Sequence, residues 1–283
     1  MAVILRRRKL GRTSCNEISR LSKTGIVAVR NDQFFPKGPH DIVFRWGTTS
    51  NLPHEYRALT VVNEAKAIHW VADKATSRKL MADAGLSPKT WLKFVDYWND
   101  AGPNDVIVRP AVHSQGKNVH FCGHFEEVAK LHDLYGEGGY YISEFIDKVA
   151  EYRVFVVSGR VACVAKKTPA DEKAIAWNVA QGGRFDNVRW GEWPIEACRV
   201  AIAAFNMSGL DFGGVDVMVD ANGNAYVLEI NSAPSLTSPY RQECMAKCFD
   251  YIVQMGKGQL DYGDIIRTWQ DIVHPAVSDK ARM

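Results

Sequence analysis

Val215-Asp216-Val217-Met218-Val219-Asp220, Ala221-Asn222-Gly223-Asn224 and Ala225-Tyr226-Val227-Leu228-Glu229-Ile230-Asn231 read as strand, turn and strand. Asn222-Gly223 is the dipeptide a two-residue type I′ turn prefers, because both positions need φ > 0. Pairing residues equidistant from that turn sets Asp216 directly opposite Glu229. Like charges in that relation repel and weaken a sheet unless a cation lies between them. Side chains alternate along a strand, so Asn231 shares the face of Glu229. The other face carries Val215, Val217, Val219, Tyr226, Leu228 and Ile230, which reads as core. Three oxygen-bearing side chains, Asp216, Glu229 and Asn231, therefore converge on one patch. Oxygen ligands suit Mg²⁺ or Mn²⁺ rather than zinc.

The chain has 283 residues, enough for a sizeable core and about two domains. Its formal charge of +3 is too small to imply a nucleic-acid partner. No apolar run approaches a membrane span, and Val3-Ile4-Leu5 is too short for a secretory signal. The six cysteines (15, 122, 163, 198, 244, 248) lack the spacing of a disulfide scaffold or of zinc knuckles. Cys244 and Cys248 fall on one helix face, and reduced core thiols in a cytoplasmic protein are the favoured reading. His120 and Cys122 share a strand face near His113 and His124, but no second ligand pair has zinc-finger spacing.

Outward from the hairpin, the pattern predicts strands at Val3–Leu5, Ile26–Val29 and Asp41–Gly47, with a helix over Ser14–Leu21. Helices follow over Asn63–Trp70 and from Asp73, a natural N-cap, to Ala84, where Gly85 and Pro88 stop the chain. Further strands fall at Asp105–Arg109, Val119–Cys122, Tyr140–Ile146, Tyr152–Val157 and Arg160–Ala165, the last two joined by Ser158-Gly159. Helices are predicted over Phe125–Tyr135 and Pro194–Met207. The division expected is a small N-terminal α/β unit over 1–62, lobes over 63–147 and 148–262, and a tail over 263–283.

Between two strand-like runs, Arg109-Pro110-Ala111-Val112-His113-Ser114-Gln115-Gly116-Lys117 supplies a hydroxyl, a glycine and cations, as polyphosphate-covering loops do. Lys74 opens a helix. Lys166 and Lys167 end a strand, and alternation sends one to each face, so one of the two points toward the patch.

The order of these pieces resembles the ATP-grasp superfamily. It runs Asn63, Asp73-Lys74, Gly85-Leu86-Ser87-Pro88-Lys89-Thr90, Val106-Ile107-Val108-Arg109-Pro110, Gly116, Ile142-Ser143-Glu144-Phe145-Ile146 and Glu151-Tyr152-Arg153-Val154-Phe155-Val156-Val157. It continues through Asn178, Gly182-Gly183, Gly214-Val215-Asp216-Val217 and Val227-Leu228-Glu229-Ile230-Asn231. The branch it is most similar to holds ribosomal-protein glutamate ligases and glutathione-synthetase-like enzymes, over roughly residues 60–240. The resemblance implies an α+β fold in which two lobes clasp ATP. It implies that Lys74 and Arg109 hold phosphates under a lid from Ser114 through Gly116 to Lys117. Glu144, Phe145 and Ile146 would line the adenine, with Glu151 at the ribose. Asp216, Glu229 and Asn231 would carry Mg²⁺ (or Mn²⁺). Arg153, Lys166 or Lys167, and Asn178 would stand beside the transferred phosphoryl group or the substrate carboxylate.

The implied chemistry is ligation of a carboxylate to an amine through an acylphosphate, with an amino acid, peptide or protein tail as acceptor. Membrane and nucleic acid are not among the expected partners, and self-association is left open. Arg109 departs from the family's usual lysine, Lys166-Lys167 from arginine, and Ser232-Ala233-Pro234-Ser235 from a proline-glycine loop. A nucleotide-binding docking protein without ligase activity is the alternative. A third reading has Arg6-Arg7-Arg8-Lys9 docking a macromolecular substrate, against the default of a solvated basic edge.

Overall fold

The structure is a computed structural model that describes residues 2–9, 11–32, 41–52, 60–100, 105–111, 118–171, 174–175, 177 and 182–257. His113, Ser114, Gly116, Lys117, Asn178 and the 263–283 tail lie outside the described residues.

Three sheets organise the chain. In the first, β1 (Ala2–Arg6), β2 (Val27–Arg30), β3 (Ile42–Trp46) and β4 (Thr60–Val62) run parallel in the order β2-β1-β3-β4, with α1 (Arg12–Leu21) crossing between β1 and β2. Then α2 (Ala65–Ala72) and α3 (Lys74–Asp83) follow. Asp73 caps α3 by accepting from the Thr76 amide at 3.2 Å, and Gly85 leaves the helix with φ of 72°. The second sheet is antiparallel, ordered β5-β8-β6-β7, from β5 (Thr90–Trp91), β6 (Val106–Pro110), β7 (His120–Cys122) and β8 (Tyr140–Glu144), with α4 (Phe94–Asn99) and α5 (Phe125–Tyr135).

The third sheet builds the site. It comprises β9 (Lys148–Val157), β10 (Arg160–Thr168), β11 (Arg184–Val188), β12 (Phe212–Asp220) and β13 (Ala225–Asn231), antiparallel in the order β11-β10-β9-β12-β13, with α6 (Ile195–Ser208) and α7 (Pro239–Met255) beside it. One face is apolar throughout: Val154, Val156, Val164, Val215, Val217 and Val227 pack under α6 and against Ile68, Val71 and Met81 of α2 and α3. The helices over 65–83 thus join the core of this sheet. On the opposite face, Phe155 and Phe212 pack with α7 and the first sheet, where Phe44 and Phe249 stack at 4.2 Å. The remaining end of that face is polar.

Asn63 is not the start of a helix. It takes φ of 67°, is fully buried, and pins α2 to β12: its Oδ1 accepts from the Asp211 and Phe212 amides at 2.7 and 3.0 Å, and its Nδ2 donates to the Phe212 carbonyl at 2.9 Å. Strands β4, β5 and β11 have no counterpart in the sequence reading. They are two to five residues long, too short for a period to declare itself.

The decisive hairpin forms, by a different turn. Only Gly223 takes positive φ, at 85°. The Gly223 amide donates to the Asp220 carbonyl at 3.1 Å, and the Asp220 carboxylate accepts from the amides of Asn222 and Asn224 at 2.9 and 2.8 Å. This is a three-residue loop closed by a left-handed glycine, not a type I′ pair. It shifts the register by one, so Val217 faces Val227 and Met218 faces Tyr226. A β-bulge at Leu228 then shifts it back, and Asp216 faces Glu229. Between the two irregularities the faces exchange. Val227 is fully buried in the core, while Leu228 lines the cleft described below and Tyr226 is only half-buried opposite Met218.

Candidate active site

The polar end of the third sheet, α3 and the face of β6 and β8 in the second sheet line an open cleft. Its floor is a row across three strands: Arg153 on β9 pairs with Asp216 on β12, which pairs with Glu229 on β13. Arg153 grips Asp216 in a two-pronged ion pair, Nε to Oδ1 at 2.6 Å and Nη2 to Oδ2 at 2.7 Å. Glu229 receives Lys74 Nζ on Oε2 at 2.7 Å and Asn231 Nδ2 on Oε1 at 3.1 Å. The repulsion built into the hairpin is thus compensated by cations of the chain itself.

The next row places Lys167 opposite Glu151. Ser158 and Gly159, with φ of 49° and 72°, make the type I′ turn between β9 and β10, and an uninterrupted ladder from it sets Lys166 against Glu151. A bulge at Ala162 moves the register by one. Lys167 therefore turns into the site, 5% exposed, while Lys166 lies exposed on the other face opposite Tyr152 and Asp186. Lys167 pairs with Glu151 and lies 3.7 Å from Asp216 Oδ2. Glu151 itself is 2% exposed and holds Lys148 on its second oxygen at 2.6 Å. Both its oxygens are engaged by lysines, and it lines the cleft.

Burial and partners oppose each other in these groups. Burial alone raises the Glu229 carboxyl, but Lys74, Arg153 and Asn231 outweigh it and hold the pKa down to about 2. Burial lowers the pKa of Arg153 and of Lys167, but Asp216 and Glu151, joined by Glu229 for Arg153, raise both above their ordinary values. For Lys148 burial wins and the pKa falls, despite Glu151.

Arg109 lines the cleft from β6, and its Nε is buried without a hydrogen-bond partner among the described residues. Glu144, Phe145 and Ile146 line the cleft at the exit of β8. The amides of Glu144 and Phe145 are bonded to the carbonyls of Lys89 and Asp105 at 2.9 and 3.0 Å, and the Phe145 ring meets Phe121 edge-on at 5.0 Å.

Arg78 and Lys148, which line the cleft, and Arg241 behind it are absent from the sequence reading. Arg78 falls one helical turn after Lys74, a spacing that puts both on one face of α3. Lys148 sits at the start of a strand that begins four residues before the expected Tyr152, with its ammonium 4.8 Å from the centre of the Trp177 ring. Arg241, 2% exposed, reaches from α7 to Asn187 at 2.7 Å and gathers with Arg153 and Lys167 around Phe185. Arg6, in contrast, leaves the basic edge: it is buried, and Nη1 folds back onto the carbonyls of Arg7 and Arg8 at 3.1 Å.

The cations Lys74, Arg78, Arg109, Lys148, Arg153 and Lys167 thus outnumber the carboxylates Glu144, Glu151, Asp216 and Glu229. Such a cleft favours a polyanion. Among the described residues no three His, Cys, Asp or Glu side chains cluster to hold a metal by themselves. Two facing carboxylates and an amide fit a hard divalent ion that completes its shell from phosphate and water, the usual arrangement for Mg²⁺. The six cysteines are free, and five are buried. Among the described residues no helix is long and apolar enough to cross a membrane.

Residues 72–247 match the RimK-like ATP-grasp domain. A probable alpha-L-glutamate ligase of Marinomonas sp. (strain MWYL1) is 27% identical over 215 residues, 72% of this chain and 69% of that protein. One of Vibrio vulnificus (strain YJ016) is 28% identical over the same shares. Among solved structures, the ATP-grasp ligase PsnB complexed with minimal precursor superposes with a TM-score of 0.63 at 14% identity, covering 89% of this chain and 99% of the other. D-alanine–D-alanine ligase of Bacillus anthracis gives 0.61 at 14%, covering 100% and 98%.

Proposed function

The chain belongs to the RimK-like ATP-grasp family of ATP-dependent carbon–nitrogen ligases, and we propose that it joins a carboxylate to an amine through an acylphosphate, using Mg²⁺ and ATP in this cleft. The observation that carries the reading is the row Arg153–Asp216–Glu229–Lys74, two facing carboxylates with a cation at each end, on the floor of a cationic cleft. Two similar proteins are named probable alpha-L-glutamate ligases, and PsnB is solved with its precursor, which favours an amino acid, peptide or protein tail as acceptor. The division into an N-terminal unit and two lobes, and a cytoplasmic location, belong to the same proposal.

In this reading the base lies against Phe145, Ile146 and Leu228, and the phosphates run toward Lys74, Arg109 and Lys148. Asp216, Glu229 and Asn231 would hold the divalent ion. When bound, that ion neutralises charge on the transferring phosphoryl oxygens. Arg153 and Lys167, kept protonated by their acidic neighbours, stand where the substrate carboxylate meets the γ-phosphate and offset the charge that builds there. A carboxylate oxygen attacks the γ-phosphorus, the bond to the β-γ bridging oxygen breaks, and ADP leaves. The amine then attacks the acyl carbon, phosphate departs with the C–O electron pair, and the amine's proton passes to solvent. No side-chain nucleophile takes part. The work is positioning and electrostatics.

The test is to supply candidate carboxylates with ATP, Mg²⁺ and hydroxylamine in place of the amine. A hydroxamate formed in step with ADP supports the acylphosphate. ADP release without hydroxamate, for every carboxylate that stimulates turnover, contradicts it.

A further inference from the structure

The bulge that brings Glu229 into the site is held from outside its own sheet. Continuing the register of the turn past Val217 sets Asp216 against Leu228 and Glu229 against Val215, which turns Glu229 to the apolar face. The extra residue, Leu228, prevents this. β13 is the edge strand of its sheet, so its outer main-chain groups have no ladder partner there, and at the bulge three of them are met by α3 or the segment after it. The Val227 amide donates to the Leu86 carbonyl at 2.7 Å, Ser87 Oγ donates to the Val227 carbonyl at 2.5 Å, and Arg78 Nη2 donates to the Leu228 carbonyl. Arg78 and Ser87 are 3% and 5% exposed. Lys74, one turn before Arg78, takes the Glu229 carboxylate. One helix face thus holds the backbone of the bulge with one cation and the side chain it presents with another.

We propose that Arg78 and Ser87 are positioning residues for the metal-binding pair: they lock the Leu228 bulge, and the locked bulge keeps Glu229 opposite Asp216. The inference rests on the reading of Asp216 and Glu229 as ligands of a divalent ion. A register slip in β13 would remove Glu229 from the cleft and leave Asp216 in place, because Arg153 holds Asp216 from β9. Nucleotide affinity without metal then persists, and what is lost is the gain on adding metal. Ser87 is the cleaner probe, since it is not among the residues lining the cleft.

The experiment is equilibrium binding of a fluorescent, non-hydrolysable ATP analogue to the full chain, with and without Mg²⁺, beside thermal melting. Wild type, Ser87→Ala, Arg78→Met and Arg78→Lys are compared with Val200→Ala, a control destabilised on the far apolar face. The expected result is that Ser87→Ala and Arg78→Met lose the Mg²⁺-dependent gain at least about tenfold. Arg78→Lys recovers part of it, and Val200→Ala keeps it in full at an equally lowered melting temperature. If both clamp variants keep the gain while melting as early as Val200→Ala, the clamp is purely structural and the inference is overturned. If the wild type shows no gain on adding Mg²⁺, the ligand reading fails at its base and the inference falls with it.

Discussion

Lys74 Nζ lies 2.7 Å from Glu229 Oε2. A residue assigned by resemblance to phosphate and one assigned to metal are thus each other's partner across two elements. The lysine offsets the Asp216–Glu229 repulsion from the Glu229 side, as Arg153 does from the Asp216 side.

That arrangement sets the cost of losing Asp216. Its side chain is 5% exposed and pairs with Arg153, which is 13% exposed. Asp216→Asn removes the counter-charge from a largely buried guanidinium and is expected to cost about 3 kcal/mol of stability. Turnover is expected to fall about a hundredfold or more. Urea unfolding and ADP release check both parts, and an unchanged unfolding midpoint contradicts the buried-pair account.

Lys166 and Lys167 are expected to separate cleanly. Lys167→Met removes a buried cation that pairs with Glu151 and faces Asp216, and turnover should drop by about a hundredfold. Lys166→Met alters an exposed side chain on the opposite face and should leave turnover as it was. Equal loss in both variants would mean that the Ala162 bulge is misplaced.

The pH dependence of folding carries a signature of Glu229. Its folded pKa is about 2 against an ordinary 4.5, so folding favours the ionised form. The stabilisation is complete above about pH 4.5 and is lost as the pH falls toward 2. Lys74→Met removes the largest favourable partner and should move that loss to higher pH. Acid unfolding curves of the two proteins, followed by circular dichroism, should separate in this window; superimposable curves contradict the pairing.

Asn63→Ala removes the three side-chain bonds that fasten α2 to Asp211 and Phe212 at a fully buried position. The expected cost is about 3 kcal/mol, from the buried main-chain groups left unpaired. A shift of the urea midpoint equivalent to less than about 0.5 kcal/mol, the range of surface substitutions, rules this out.

Much of this architecture is legible in the chain, and the failures share one cause. Four of the five strands of the third sheet, β9, β10, β12 and β13, announce themselves because one face is valine-rich, whereas β11 is silent. The pair Asp216–Glu229 emerges from counting outward from Asn222-Gly223, but only because two shifts of one residue cancel. The turn is one residue longer than the dipeptide suggests, and the bulge at Leu228 takes that residue back. Val227 and Leu228 are both apolar, so nothing in their chemistry says which is core and which lines the cleft. Lys166 and Lys167 pose the same ambiguity, and Ala162, a small residue in an apolar run, hides the bulge that resolves it. Partners distant in sequence are equally silent: Asn63 looks like a helix start until Phe212 is placed beside it. Arg6 looks like part of a basic edge until its guanidinium is seen folded onto its own loop.

The central claim is that facing carboxylates and surrounding cations in one cleft hold nucleotide together with metal. Calorimetric titration of the wild-type chain with a non-hydrolysable ATP analogue, with and without Mg²⁺, tests it most directly. The account predicts saturable binding that tightens when Mg²⁺ is present. Absence of binding, or binding indifferent to Mg²⁺, would contradict it.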